Sequence, residues 1–305
     1  MSCGSRLITG ATEVPLCPPY FSLILATVDR IDELGRLLDT LERQTDRSFE
    51  LIVVDQNADD RVAPYVKRAT DADIPTTHVR SARRGLSHAR NLGLGLARGE
   101  VVAFPDDDCW YEVDVLAQAR LQLEGAECVD GVVGRWHEED PDRQRLPHRL
   151  SFETWHALRG GDASSICLFL RRALVERLGR FDDRLGAGAY WAAGEETDLV
   201  LRALRDGAVL RFVPEIGVHH ARALPPSRWD QRAFRDTLRR ARGTGAIYAK
   251  HRMSAWVVLR GTVSPVIKGL CSRNPLVRGV HGLYGSVGRL YGMLSWRNRD
   301  DRARA

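Results

Sequence analysis

No run of the chain approaches the roughly 18 to 20 apolar residues needed to cross a bilayer. The opening, MSCGSRLITG, lacks the charged-then-apolar layout of a secretory signal, so the cytoplasm is the expected compartment. Cysteine is sparse, six in 305 residues, and Cys3, Cys17, Cys109, Cys128, Cys167 and Cys271 form no C-x-x-C pair. That spacing argues against a disulfide framework or a zinc site and predicts reduced thiols. Internal repeats are missing too. A dinucleotide-binding domain needs a glycine-rich turn after its first strand, and here Thr27 is followed by Val28-Asp29-Arg30 with no glycine. The glycines of GLGLARG, residues 93–99, close a predicted helix and lead into a strand, so they read as a helix terminus.

What remains is ordinary globular composition, 44% hydrophobic and 28% charged, enough for one large core or a core with an appended lobe. The net charge of +5 conceals a segregation: residues 228–305 carry seventeen Lys/Arg against four Asp/Glu, leaving 28 basic and 36 acidic residues before them. An acidic body suits a site that holds metal ions. A basic tail suits an anionic surface.

Apolar runs alternate with helical spacing. YFSLILAT reads as a buried strand and IDELGRLLDTLERQ as a helix with Leu34, Leu37, Leu38 and Leu41 on one face. FELIVVD, TTHVR and EVVAF follow as strands, separated by helices near Tyr65 and over GLSHARNLGLGLA. This order predicts an α/β fold with a mostly parallel sheet flanked by helices, and such sheets bind ligands at the carboxyl ends of their strands. Polar clusters at residues 27–30, 55–57 and 106–108 fall at those ends.

The last cluster is the most informative. After Phe104 the proline breaks the strand, and a tight turn directs Asp106 and Asp108 toward a shared point with Asp107 aimed elsewhere. Oxygen ligands at that density favour a hard divalent cation, Mg2+ or Mn2+, which would hold a diphosphate. A solvated acidic turn before a helix, with Asp114 offsetting the helix dipole, accounts for the same residues without a metal.

Beyond single clusters, SLILATVDR, LIVVDQN, RGLSHARNLGLGLARGEVVAFPDDD, FDDRLGAGAYWAAGEETDLVLRALRDG and VPEIGVHH occur in the order seen in family 2 glycosyltransferases, and residues 22–220 resemble that family. The resemblance implies a GT-A type, Rossmann-like fold and an inverting enzyme that takes a nucleoside-diphosphate sugar as donor. It further implies that Asp106 and Asp108, with His220, hold the metal, and that Thr27, Asp29, Asp55, Arg90, Asn91 and Asp106 contact the donor. Glu196 would be the general base. Two departures stand out: Gln56 occupies the place of a second aspartate, and Glu196 stands where aspartate is commoner.

Independent chemistry agrees with Glu196: displacement at an anomeric carbon needs a base for the acceptor hydroxyl on one face and charge relief for the departing diphosphate on the other. Dipole compensation at a helix start is the plainer role for Glu195 and Asp198. In GAGAYWAAG, residues 186–194, Tyr190 and Trp191 are candidates to stack on an acceptor sugar with Glu195 beside them, and the glycines suggest a mobile lid. Trp136 and Trp155, in the polar segment from residue 134 onward, are open between stacking and anchoring roles. Residues 1–19 read as a flexible leader, 20–226 as the catalytic domain with nucleotide-sugar (20–110) and acceptor (111–226) halves, and 227–305 as a basic amphipathic helical extension. That extension would pack on the domain or lie on an anionic membrane as a peripheral element. The acceptor would be a glycan, a lipid-linked glycan or another hydroxyl, and no nucleic-acid motif accompanies the charge. A sugar nucleotidyltransferase and a non-catalytic nucleotide-sugar binding protein are the competing readings; the first should open with a glycine- and arginine-rich loop, and the second should have lost the base.

Overall fold

The structure is a computed structural model that describes residues 18–137, 150–152, 164–220 and 228–304. Its first half contains β1 (Phe21–Thr27), α1 (Asp32–Leu41), β2 (Phe49–Asp55), α2 (Ala63–Asp71), β3 (Thr76–Arg80), α3 (Leu86–Leu94) and β4 (Val101–Ala103). The second half adds β5 (Cys109–Tyr111), α4 (Val115–Leu123), β6 (Gly131–Trp136), β7 (Leu168–Arg171), α5 (Arg172–Arg177), α6 (Glu195–Arg205) and β8 (Leu210–His220). Three helices follow: α7 (Gln231–Lys250), α8 (Ala255–Leu270) and α9 (Pro275–Arg304).

The strands form one eight-stranded sheet in the order β3-β2-β1-β4-β7-β6-β8-β5. It is mostly parallel, as four of its seven pairings show: β1 with β2 and β4, β2 with β3, and β6 with β8. Every residue of β2 is buried, and six of the seven in β1 are, because helices cover both faces and leave no polar side. On α1 the predicted leucines are the buried ones.

Register places the chemistry. Thr27 is paired with Asp55 at the ends of β1 and β2, and Ala26 is bridged to Asp106 just past β4. Pro105 has no N–H to continue the ladder, so β4 stops at Ala103 and the chain turns through the three aspartates. It then re-enters the sheet as β5, antiparallel to β8, with Cys109 opposite His220. That pairing sets His220 beside Asp108.

The segment predicted as acceptor loops starts as strand, since β6 runs to Trp136, whose indole Nε1 donates to the His220 carbonyl (2.8 Å). Trp155 lies outside the described residues.

The extension is helical, as its composition suggests, and it is packed against α6. Gly194 precedes α6 with φ 91°, a left-handed conformation that favours glycine, and Ile247 of α7 fills the space a side chain would need. Gly243 of α7 lies so close to Ala193 that a Cβ there would stand 2.5 Å from its nitrogen and 2.8 Å from its carbonyl carbon. A polar cluster completes the joint. Asp198 of α6, fully buried, accepts from Arg202 (2.9 Å), Lys250 (2.7 Å) and His251 Nε2 (2.8 Å). Burial lowers the His251 pKa against the Asp198 hydrogen bond, and since a carboxylate only accepts, Nε2 is the donor. Burial alone would raise Asp198, but the His251 hydrogen bond and the Lys250 and Arg202 charges outweigh it and hold the carboxyl at about 2.

Two outcomes follow from this joint. Gly243→Ala should lower the melting temperature by several degrees, in keeping with an overpacking cost of about 1–3 kcal/mol; a thermal scan with an unchanged midpoint would contradict the close approach. Because the Asp198 pKa is depressed on folding, its stabilisation is complete above the unfolded value of 3.8 and is lost as pH falls toward about 2. The loss amounts to about 2 kcal/mol. Urea unfolding of the parent protein should weaken over that window more steeply than unfolding of Asp198→Asn, and equal slopes would contradict it.

Candidate active site

Arg90 is the centre of the site. It projects from α3 at 1% exposure, one of the largest fully buried side chains among the described residues. Its Nη2 donates to Asp106 Oδ1 (2.9 Å) and to Ser165 Oγ (2.8 Å), and its Nη1 donates to Glu195 Oε1 (3.1 Å). One guanidinium thereby joins the turn after β4 to the first residue of α6. A buried guanidinium this deep needs partners, and two carboxylates and a hydroxyl take three of its five N–H donors.

On the side of the turn, Asp106, Asp108 and His220 bring one ligand atom each within 4.8 Å of one another. His220 Nε2 is 3.0 Å from Asp108 Oδ1. Asp107 is outside this group: it accepts from Thr27 Oγ1 (2.8 Å) and from Arg30 Nη1 (3.2 Å), and the same Arg30 nitrogen pairs with Asp108. Arg30 and Ser165 were not singled out from the sequence. Arg30 had only its place in the 27–30 cluster to mark it, and Ser165 had no local signal.

The carboxyls respond differently to their surroundings. Burial raises Asp106, with Arg90 opposing it and the Asp108 and Glu195 charges adding to it. Burial likewise pushes Asp107 up to about 6 against the Thr27 hydrogen bond and the Arg30 charge. For Asp108 burial is outweighed by the His220 hydrogen bond and the His220 and Arg30 charges, so its carboxyl is held below the ordinary range. Asp106, Asp107, Asp108, Glu195 and Glu196 set five carboxyls against the guanidiniums of Arg30 and Arg90. The surplus of acid, with an Asp/Asp/His donor set, fits a hard divalent cation.

A second cluster, Glu112, His137 and His219, also brings ligand atoms within 4.8 Å. Neighbours along a strand point to opposite faces, which directs His219 away from His220. Glu112 Oε1 is 2.9 Å from His137 Nε2 and 3.3 Å from His219 Nε2, and the two rings stack at 4.4 Å.

Across Arg90, Glu196 occupies the first turn of α6. Burial and the adjacent Glu195 carboxylate push its pKa well above the usual value, and Arg90 offsets part of this.

The remaining predicted donor contacts are close by but engaged within the chain. Asp55 is fully buried; its Oδ1 accepts from the Asn57 backbone (2.9 Å) and side chain (2.8 Å), and its Oδ2 is 3.1 Å from His78 Nε2. Asn57 Oδ1 in turn accepts from the Asp29 N–H (2.8 Å) and holds Asp29 at φ 64°. Gln56, the departure from the family pattern, accepts from the Gly85 N–H (2.7 Å) at the start of α3. Asn91 clamps the loop before α6, donating to Phe181 O (2.9 Å) and Asp183 Oδ1 (2.8 Å) and accepting from Phe181 N (3.0 Å).

Tyr190 and Trp191 are not arranged as a free lid. Trp191 is 2% exposed, packs at 4.5 Å from the Trp296 ring and donates to Ser295 Oγ (3.1 Å). Tyr190 Oη meets Tyr291 Oη at 2.9 Å, with the Arg242 guanidinium 4.1 Å above its ring. Both are anchored by the extension.

Known proteins resemble this chain in sequence and in fold. The chain is similar to the uncharacterized glycosyltransferase YwdF of Bacillus subtilis, 27% identical over 66% of this chain and 73% of the relative. It is 31% identical to a PGL/p-HBAD biosynthesis glycosyltransferase of Mycobacterium bovis over 58% of this chain and 68% of that one. Among solved structures, the mannosyltransferase PcManGT of Pyrobaculum calidifontis, in complex with GDP-Man and Mn2+, superposes with a TM-score of 0.61 at 22% identity over 95% of this chain and 76% of that chain. Staphylococcus aureus TarS 1-349, in complex with UDP-GlcNAc, gives 0.55 at 14% identity over 92% of each. These two likenesses establish the fold. Residues 22–179, just over half of the chain, match Glycosyl transferase family 2, and the chain belongs to that family as a glycosyltransferase.

Proposed function

We propose that the enzyme is an inverting, metal-dependent glycosyltransferase that moves a sugar from a nucleoside diphosphate to a hydroxyl acceptor in the assembly of a cell-surface glycan or glycolipid. The observation that carries the reading is the Arg90 bridge, with the Asp106–Asp108–His220 cluster on one side and the Glu195–Glu196 helix start on the other. An inverting transfer needs such a division between leaving group and base.

Asp106, Asp108 and His220 would hold Mg2+ or Mn2+, which when bound supplies charge relief to the departing diphosphate. Thr27, Asp29 and Asp55 sit where the base and ribose enter, at the ends of β1 and β2. Arg90 acts by positioning Asp106 and Glu195, and Asn91 by holding the loop that leads to α6. Glu196 takes the proton from the acceptor hydroxyl, with Glu195 and Tyr190 lining the acceptor approach and Trp191 fixing the loop beneath it. Support for a nucleotide-sugar donor comes from the GDP-Man and UDP-GlcNAc carried by the two structural neighbours.

Glu196→Gln should reduce kcat by about 10²–10⁴-fold while donor affinity stays within a few-fold, as loss of a general base does; turnover close to the parent enzyme would remove the assignment. The base works as a carboxylate and its pKa is raised by burial and by Glu195, so kcat should fall as pH drops through a value above the ordinary 4.5. Asp108→Ala should abolish the Mn2+-dependent part of the thermal shift produced by nucleotide sugars. If Mn2+ still enlarges the shift given by UDP-, GDP- or dTDP-sugars in that variant as much as in the parent, the cation lies elsewhere.

A further inference from the structure

The last two helices leave an unusual amount of apolar surface open. On α8, Trp256, Leu259, Val263, Ile267 and Leu270 are 43–60% exposed. Their spacing of three and four residues puts them on one stripe. On α9, Leu276, Leu283, Val287, Leu290 and Leu294 make a second stripe, 45–81% exposed. The packing seam between the helices meets the stripes only at Leu270, which lies against Gly279: Gly269 of α8 faces Arg278 and Gly279, Gly282 of α9 faces Pro265 and Val266, and Ser286 of α9 donates to the Thr262 carbonyl. Exposed apolar surface on this scale marks an interaction face.

Charge identifies the occupant. Residues 251–296 contain no Asp or Glu, and Arg252, Arg260, Lys268 and Arg273 among them are exposed. Apolar stripes flanked by cations, without a carboxylate, match a surface that offers acyl chains beneath a layer of phosphates. A second copy of the same face would oppose cation to cation. No helix among the described residues is long and apolar enough to cross a membrane, so the fit is to the interface rather than the interior.

We infer that the α8–α9 hairpin is a membrane-docking surface that seats both apolar stripes in the headgroup layer of an anionic bilayer. The same α9 anchors the loop before Glu196, through Tyr291 on Tyr190 and through Ser295 and Trp296 on Trp191. Docking therefore fixes the acceptor side of the site relative to the bilayer, and the acceptor class it selects is a lipid-linked hydroxyl. That last step rests on the glycosyltransferase reading; the docking surface does not.

The test is co-sedimentation of the full chain with vesicles of phosphatidylcholine alone and with added phosphatidylglycerol. The parent protein should prefer the anionic vesicles, and Leu259→Glu combined with Ile267→Glu should weaken partitioning by at least about tenfold, because both side chains would enter the interface. Both positions are exposed, and the donor-induced thermal shift of the variant should equal that of the parent. Turnover of a short soluble acceptor should be unchanged while turnover of a lipid-linked acceptor falls. Equal binding to both vesicle types, or binding unaffected by the two substitutions, overturns the proposal. So does a parent dimer in light scattering that the substitutions dissociate without any vesicle binding, since a second copy would then cover the face. Vesicle binding with no donor shift in the parent would overturn the donor reading and the lipid-linked acceptor, and leave the docking surface supported.

Discussion

The structure depends on a buried arginine. Arg90 lies at 1% exposure with two carboxylates and a hydroxyl as partners, and removing any partner would leave a charge or a donor unmatched in low dielectric. The arrangement turns a liability into a constraint. Asp106 comes from the turn after β4 and Glu195 from the start of α6, 89 residues later in the numbering, yet both must stay within hydrogen-bonding distance of one guanidinium. Beside it, burial and the adjacent Glu195 carboxylate raise the Glu196 pKa.

Much of the frame was legible because parallel strands buried on both faces leave continuous apolar runs: the runs ending at Thr27 and Asp55 are β1 and β2 as read, while β3 is an edge strand with no buried residue. The Asp106, Asp108 and His220 cluster was legible through motif order, and the β5–β8 pairing accounts for its geometry. Short elements were not. β5 has three residues and β7 four, and each exists because of a partner strand distant in sequence, so neither leaves a periodic signal. Arg90 was read as a donor contact, whereas its donors are directed to Asp106, Ser165 and Glu195, partners that no local pattern reveals. Trp191 shows the same limit. Flanking glycines suggested a mobile aromatic lid, but the ring is covered by Ser295 and Trp296, more than a hundred residues on.

The extension belongs to this logic. Asp198 of α6 is held by Lys250 and His251 at the end of α7, and Gly194 and Gly243 allow α7 to approach the start of α6. The helix that carries Glu196 is thus braced by helices whose outer faces are apolar and basic.

The central claim is that Asp106, Asp108 and His220 form a cation site opposite Glu196. The most direct measurement is anomalous diffraction from crystals grown with Mn2+ and a nucleotide sugar. The account predicts one strong peak within coordination distance of Asp106, Asp108 and His220, beside the donor's diphosphate. A peak only at Glu112, His137 and His219, or a diphosphate bound with no manganese near Asp108, would contradict it.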